Sequence, residues 1–291
     1  MKSEPVTVSV ALCTCNGEHY LRAQIDSILA QTRPVDEIIV GDDVSNDRTM
    51  AILQEYEKLH PGLFQILQHP SRLGTVGNFE SALRRCSGRF IFLSDQDDIW
   101  KPHKVETMLA RFASANVLMV FTDGRLIDSD GRPIGATLWQ KWHFTRWMRL
   151  RWRRSRFAFK QLMYNQNKVT GATVALRREL LADSLPMRMP PGYWHDCWLA
   201  LHAAARGGLV FLSEPLIDYR IHDKQQVGIA PPAQLASMGP AWSASVEEFR
   251  AALRERYPAR AAAFDDSPRP FIDSAVGVRL RAALRAVLGK N

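Results

Sequence analysis

The chain has 291 residues, 46% of them hydrophobic, and a formal charge of +8 from 38 Lys and Arg against 30 Asp and Glu. This length allows one large domain or two, each with a real core. No run approaches the roughly 18 apolar residues of a membrane span, and the four cysteines (Cys13, Cys15, Cys86, Cys197) have neither metal-knuckle spacing nor the density of a secreted scaffold.

The N-terminal residues lead straight into a strand pattern rather than a signal peptide, so a cytoplasmic protein is expected. Residues 6–12, 37–40, 64–67, 89–93 and 117–121 are short apolar or β-branched runs, and helical patterns lie between them. Leu21, Ile25, Ile28 and Leu29 share one helical face, as do Ile52, Leu53, Tyr56 and Leu59. The alternation predicts an α/β fold with a mainly parallel sheet flanked by helices. Ligands of such sheets bind outside the carboxyl ends of the strands.

The polar segments fall at those ends. Residues 14–18, T-C-N-G-E, follow the first strand, and residues 41–47, G-D-D-V-S-N-D, follow the second. Ser45, Asn46 and Asp47 read as a turn and helix cap. Asp42 and Asp43 leave the strand before that cap, where a carboxylate can accept from a base N–H or a ribose hydroxyl. Residues 73–78, L-G-T-V-G-N, either present backbone N–H groups to a phosphate or form a plain loop, with Asn78 a candidate donor contact.

After the fourth strand come residues 94–102, S-D-Q-D-D-I-W-K-P. Asp95, Asp97 and Asp98 crowd where a buried strand leaves the core, and so many carboxylates call for a cation. A hard divalent ion binds through one or two carboxylates and substrate phosphates. The competing reading is an acidic turn capping the next helix.

Residues 128–133 predict a hairpin turn at the sheet edge. Residues 139–160 carry eight Lys and Arg, four tryptophans and no acid. Their tryptophans spread around a helix axis, and basic charge beside tryptophan suits a membrane headgroup interface, a lipid-diphosphate acceptor or single-stranded nucleic acid, against a solvated basic face with a few packed rings. A strand is expected at 167–176, a helix at 178–182 and a loop at 186–192. A helix opening at His195-Asp196 follows, then strands at 209–212 and 216–221. Tail helices are expected at 246–256 and 276–288.

Taken in order, these segments resemble the inverting nucleotide-sugar glycosyltransferases of family 2, which have the GT-A fold. They are most similar to the bacterial rhamnosyltransferase-like branch that builds O-antigens and other surface polysaccharides. The residues that carry the likeness are V-S-V-A-L-C-T-C-N-G, I-I-V-G-D-D-V-S-N-D-R-T, L-G-T-V-G-N-F, L-S-D-Q-D-D-I-W-K-P, N-K-V-T-G-A-T-V-A-L-R-R-E-L-L, H-D-C-W-L-A-L and E-P-L-I-D-Y-R-I-H. They imply a GT-A domain over residues 1–230 and a helical C-terminal tail over 231–291.

The resemblance places Thr14 and Asn16 in the first nucleotide-binding turn, and Asp43, with Asp42 beside it, at the pyrimidine base. Asp95 and Asp97 match the D-x-D pair. The first faces the ribose and metal shell, and the second ligates the Mg²⁺ or Mn²⁺ that bridges the donor diphosphate. Asp196 matches the general base, with His195 its neighbour; a helix N-cap is the other reading of that pair. His222 falls where some relatives bring a late histidine toward the metal, against the alternative of a satisfied surface histidine. Val44 and Asn46 stand where the family has Gly and Thr, and Cys15 where it has an aromatic residue. A β-branched Val44 resists the positive φ that a glycine there would adopt.

The implied reaction moves a sugar, rhamnose from dTDP-L-rhamnose first and UDP-linked sugars next, to a glycan acceptor on a polyprenyl-diphosphate lipid at the inner face of the cytoplasmic membrane. The basic tryptophan-rich segment would hold the enzyme near anionic lipid. Two other classes compete. A catalytically silent scaffold would bind nucleotide without turnover. A nucleic-acid binder is disfavoured by carboxylates that repel phosphate in the absence of metal, so no nucleic acid is expected.

Overall fold

The apolar runs of the N-terminal half all become strands. The computed structural model describes residues 7–223, 225 and 239–261. The first part contains β1 (Val8–Thr14), α1 (Leu21–Leu29), β2 (Glu37–Asp42), α2 (Thr49–Leu59), β3 (Phe64–Gln68), α3 (Gly74–Arg85), β4 (Phe90–Asp95), β5 (Ile99–Trp100) and α4 (Lys104–Leu109). Then come β6 (Met119–Ile127), β7 (Pro133–Thr137), α5 (Leu138–Lys141), α6 (Arg146–Trp152), α7 (Ser155–Met163), β8 (Val174–Arg177) and α8 (Leu181–Ser184). The chain continues through α9 (His195–Ala205), β9 (Leu209–Arg220), α10 (Gly239–Arg256) and α11 (Pro258–Ala261).

One mixed sheet runs in the order β3-β2-β1-β4-β8-β6-β9-β5, with β7 paired to β6. β1 lies parallel to both β2 and β4, and β2 to β3. β1 is buried along its whole length, because helices cover both sheet faces and an alternating pattern would leave polar groups inside. The carboxyl ends of β1, β2 and β4 therefore bring Thr14, Asp42 and Asp95 to one edge: Thr14 pairs with Asp42, and Cys13 with Asp95.

Several expectations need correction. The strand expected at 167–176 is confined to β8, preceded by a 3-10 turn at Gly171–Thr173, and it lies antiparallel between β4 and β6. The two strands expected at 209–212 and 216–221 are one, β9. It stays paired across Pro215 by a register shift, Thr122 facing Leu212 and Asp123 facing Pro215. A bulge absorbs a proline that would otherwise end a ladder. The acidic stretch does not cap a helix: it leads into β5, which pairs antiparallel with β9. The helix expected at 178–182 is a 3-10 turn, Arg178–Leu180, followed by α8.

The hairpin turn joins β6 to β7, with Gly131 N donating to Asp128 O at 3.0 Å and φ of 85° at Gly131. The basic segment folds as α5, α6 and α7, and most of its tryptophans are structural. Trp139 and Trp152 are buried and pack around Phe144, with ring centroids 5.1 and 4.9 Å away, against Phe121 and Phe211 of the sheet. Trp147 alone of the four stands out, 78% exposed. The first tail helix, α10, docks by burying Val246 and Leu253, and just beyond it Tyr257 Oη meets His202 Nδ1 at 2.6 Å. The helix expected at 276–288 lies outside the described residues. No described helix is long and apolar enough to cross a membrane.

Candidate active site

Two turns at the ends of β1 and β2 grip each other. Thr14 Oγ1 donates to Asp42 Oδ1 at 2.9 Å, and Ser45 donates to the same carboxylate through N at 3.0 Å and Oγ at 2.5 Å. Asn16 N donates to Ser45 Oγ at 2.8 Å, and its Oδ1 accepts from Asn46 N at 2.8 Å. Asp43 accepts from Leu73 N at 2.6 Å and Gly74 N at 3.0 Å, so it holds the start of α3. Asn78 donates to Gly41 O at 2.9 Å and takes His69 Nε2 on its Oδ1 at 3.0 Å. Gly41 has no room for a Cβ, which would collide with that same Oδ1.

All five expected donor-side residues of these turns are thus gathered at one edge. Asp42 and Asn78 are buried with their polar groups directed into the protein, whereas Asn16 lies exposed. Val44 does adopt the left-handed backbone, with φ of 58°. The turn keeps the geometry that a glycine would take freely.

The loop after β4 is built around its intervening Gln96. The Gln96 amide accepts from Cys15 N at 2.7 Å and donates to Cys15 O at 3.0 Å, stitching the loop to the exit of β1. Gly17 is bare because a Cβ there would strike the same amide. Asp97 Oδ2 lies 2.9 Å from His222 Nε2, so the late histidine does reach the acidic loop. Arg220 fixes that loop from the end of β9: its Nε donates to Asp97 O at 2.8 Å, its Nη1 to Ser129 O at 3.0 Å, and its N to Asp98 Oδ1 at 3.0 Å. Asp98 is buried, and its other oxygen, Oδ2, has no hydrogen-bond partner among the described residues. Burial, then the charges of Asp97 and Asp196, push Asp95 up to about 8. Burial, then the charges of Asp97 and Asp95, raise Asp98 well above the carboxylate range.

Asp196 sits in the first turn of α9, held on three sides. Asn167 Nδ2 and Cys197 N donate to its Oδ1 at 3.0 and 2.6 Å, and Gly171 N donates to Oδ2 at 3.1 Å. Burial raises it to about 7 against the pull of those hydrogen bonds. A carboxyl poised there takes a proton efficiently at neutral pH. His195 plays no such part. Its ring stacks on Phe79 with centroids 3.9 Å apart, neither nitrogen has a partner among the described residues, and burial lowers it to about 3, so it is neutral.

Sequence reasoning missed Gln96, Lys104, Asn167, Tyr219 and Arg220. Gln96 and Arg220 stand inside quoted motifs, so adjacency to Asp97 and His222 was the available signal. Asn167 also opens a quoted motif. Lys104 carries no signal, since a lysine near a helix start reads as solvated. The Tyr219 hydroxyl is raised well above its usual value by burial and then by Asp98, Asp95, Asp97 and Asp196 together.

No group of three or more His, Cys, Asp or Glu gathers in metal-holding geometry among the described residues. The donor set nevertheless fits a hard divalent ion that takes its remaining ligands from phosphate and water. Asp97 and Asp95 are oxygen donors at the lip of the site, and the orphaned Asp98 oxygen is an unsatisfied buried acceptor in the same loop.

The family model for "Glycosyl transferase family 2" matches residues 9–184, more than half of the chain. The chain belongs to glycosyl transferase family 2. It is similar to the putative teichuronic acid biosynthesis glycosyltransferase TuaG of Bacillus subtilis, 34% identical over 44% of this chain and 50% of that one. It is also similar to the dTDP-rhamnosyl transferase RfbG of Shigella flexneri, 30% identical over 39% of this chain and 43% of that one. The chain thus spans about half the length of these curated relatives. Glucosyl-3-phosphoglycerate synthase from Mycobacterium tuberculosis, solved with Mn²⁺, UDP and glucosyl-3-phosphoglycerate, superimposes with a TM-score of 0.53 at 22% identity, covering 90% of this chain and 81% of that one. Family and topology together give the GT-A fold.

Proposed function

We propose that this family 2 member is an inverting, metal-dependent glycosyltransferase of bacterial surface-polysaccharide synthesis. The observation that carries the reading is Asp196: a carboxyl held near 7, hydrogen-bonded in place, and close enough to raise Asp95 in the acidic loop. Asp196 and the acidic loop are thus electrostatic neighbours, which supports a proton acceptor beside the metal-binding residues.

The nucleotide lies along the turns of Thr14, Asn16 and Asp43, with Asp42 and Asn78 shaping that pocket from behind. Asp97, with Asp95, would hold Mg²⁺ or Mn²⁺, and His222 orients Asp97 through the 2.9 Å contact. The ion, when bound, neutralises charge on the departing diphosphate. Asp196 removes the proton of the acceptor hydroxyl, which attacks from the face opposite the diphosphate and inverts the anomeric carbon. Asn167 and the Gly171 N–H keep the Asp196 oxygens aimed while the proton moves.

For the donor, dTDP-L-rhamnose is the first choice, supported by the motif resemblance and the partial likeness to RfbG. A UDP-linked hexose or N-acetylhexosamine is the second. The acceptor is a growing glycan on a polyprenyl-diphosphate lipid at the inner face of the cytoplasmic membrane. The exposed Arg and Trp residues of α6 meet that anionic surface.

Calorimetric titration with dTDP-, UDP- and GDP-sugars, each with and without Mn²⁺, tests the reading. Metal-dependent binding of one donor is expected. A folded protein that binds none would leave the silent scaffold as the better description.

A further inference from the structure

Lys104 is fully buried, at the start of α4, beneath the acidic loop. Burying an ammonium is costly unless it is paired and hydrogen-bonded, and an apolar side chain of similar volume would suit such a core position better. Its surroundings explain why a cation is kept. The Nζ donates to Ala172 O at 2.7 Å and lies 3.8 Å from the centroid of the Trp100 ring. Trp100 is the last residue of β5, the strand by which the acidic loop re-enters the sheet, and it is itself buried. Ala172 is the middle residue of the 3-10 turn Gly171–Thr173.

That turn is the support of Asp196, since Gly171 N donates to Asp196 Oδ2 at 3.1 Å. The turn fits closely. The His195 ring occupies the space that a side chain at residue 171 would need, and Thr173 Oγ1 closes back on Thr170 O at 2.7 Å.

We infer that Lys104 is a positioning residue: its Nζ ties the Trp100 ring below the acidic loop to the Ala172 carbonyl of the turn that holds Asp196. The inference rests on the proposed role of Asp196 and adds how the base and the metal-binding loop keep their separation. Lys104 touches no substrate. It sets the distance over which acceptor and donor must meet, and misplacement of about an ångström at such a distance is worth about 100-fold in rate. Burial pulls the Lys104 amine well below the usual lysine value, and the neighbouring Asp98 and Asp95 act in the other direction, so the tie rests on the Nζ geometry.

Two readouts test it, and the first does not need a working enzyme. Amide exchange of Gly171 is compared in wild type, Lys104→Met and Lys104→Arg. Lys104→Met removes the tie while filling the space, so Gly171 exchange rises about tenfold or more as the turn opens locally, while the amides of β1 and β4 keep their protection. Lys104→Arg, which keeps a cation and donors, stays nearer to wild type than Lys104→Met. In the transfer assay Lys104→Met loses about 30-fold or more in kcat with donor KM within about threefold, because the donor pocket is untouched.

Gly171 exchange within about threefold of wild type in a folded Lys104→Met protein would overturn the inference, as would loosening spread equally over the sheet. Should Lys104→Met not fold, Lys104→Gln, which keeps an N–H but not the charge or full reach, is read by the same criteria. If wild type transfers no sugar from any donor, the functional reading fails, and the exchange data still decide the role of Lys104.

Discussion

His222 Nε2 lies 2.9 Å from Asp97 Oδ2, and this contact joins the residues after β9 to the loop after β4, 125 positions apart in sequence. Both side chains are largely shielded from water, at 10% and 13% exposure. The contact gives His222 either of two roles, a second donor to the cation or the partner that aims Asp97. Asp97→Ala is expected to abolish Mn²⁺-dependent donor binding. His222→Ala is expected to weaken it by about 10-fold to 100-fold, the range for residues that orient a ligand. Calorimetry with and without Mn²⁺ separates these outcomes, and unchanged binding in Asp97→Ala would remove the metal from the loop.

Asp196→Asn keeps the shape and most hydrogen-bonding capacity but cannot take a proton. Donor affinity should stay within about threefold while transfer falls by about 10²-fold to 10⁴-fold. In wild type the carboxylate is the active form, and burial puts its pKa at about 7. The transfer rate should therefore climb with pH through the acid range, reach half its maximum near that value and level off above it. A rate independent of pH between 5 and 8, with chemistry limiting, would assign the proton to another group.

Val44 holds φ of 58°, a region in which a β-branched side chain crowds the following carbonyl. Such a backbone costs about 1–2 kcal/mol for a non-glycine residue. Glycine returns about 0.5–1 kcal/mol of that through the larger freedom of its unfolded chain. Val44→Gly should leave a net gain of up to about 1.5 kcal/mol in urea unfolding. A clear loss of stability would mean that the valine side chain packs well enough to outweigh the strain.

Trp147 and Leu150, on one face of α6, are 78% and 53% exposed, and Arg146, Arg153 and Arg154 nearby are exposed as well. Arg149 is different: its Nη1 donates to Phe144 O at 2.9 Å and its guanidinium lies over Trp139, so it belongs to the fold. Each basic residue near an anionic bilayer contributes about 1 kcal/mol, so replacing Arg146, Arg153 and Arg154 by Gln should weaken binding to phosphatidylglycerol vesicles by about 100-fold. Trp147→Ala should weaken it further, and Trp147 emission should shift to the blue on binding. Equal sedimentation of wild type and triple variant would return this surface to a solvated face.

The sequence by itself determined the α/β alternation, the mainly parallel sheet and the positions of the polar turns. These follow from local chemistry: continuous apolar runs bounded by Asn, Asp and Gly can be little else than buried strands ending in turns. Ordered motifs carried Asp95, Asp97, Asp196 and His222 as candidates, although their separation in the chain gave no distance among them. Only the tertiary structure decided which polar groups face the crevice and which support it. Asp42 and Asn78 are spent on neighbouring backbone and hydroxyl groups, and His195 is buried against Phe79, while its neighbour Asp196 is held by Asn167 and Gly171. Three of four tryptophans in the basic segment went to the core or its margin, because packing against the sheet at Phe121 and Phe211 outweighed the local helical pattern. Lys104 is the extreme case. Composition places a lysine in water, and its burial makes sense only because residues distant in sequence, Trp100 on one side and Ala172 on the other, supply a ring and a carbonyl where the folded chain brings them together.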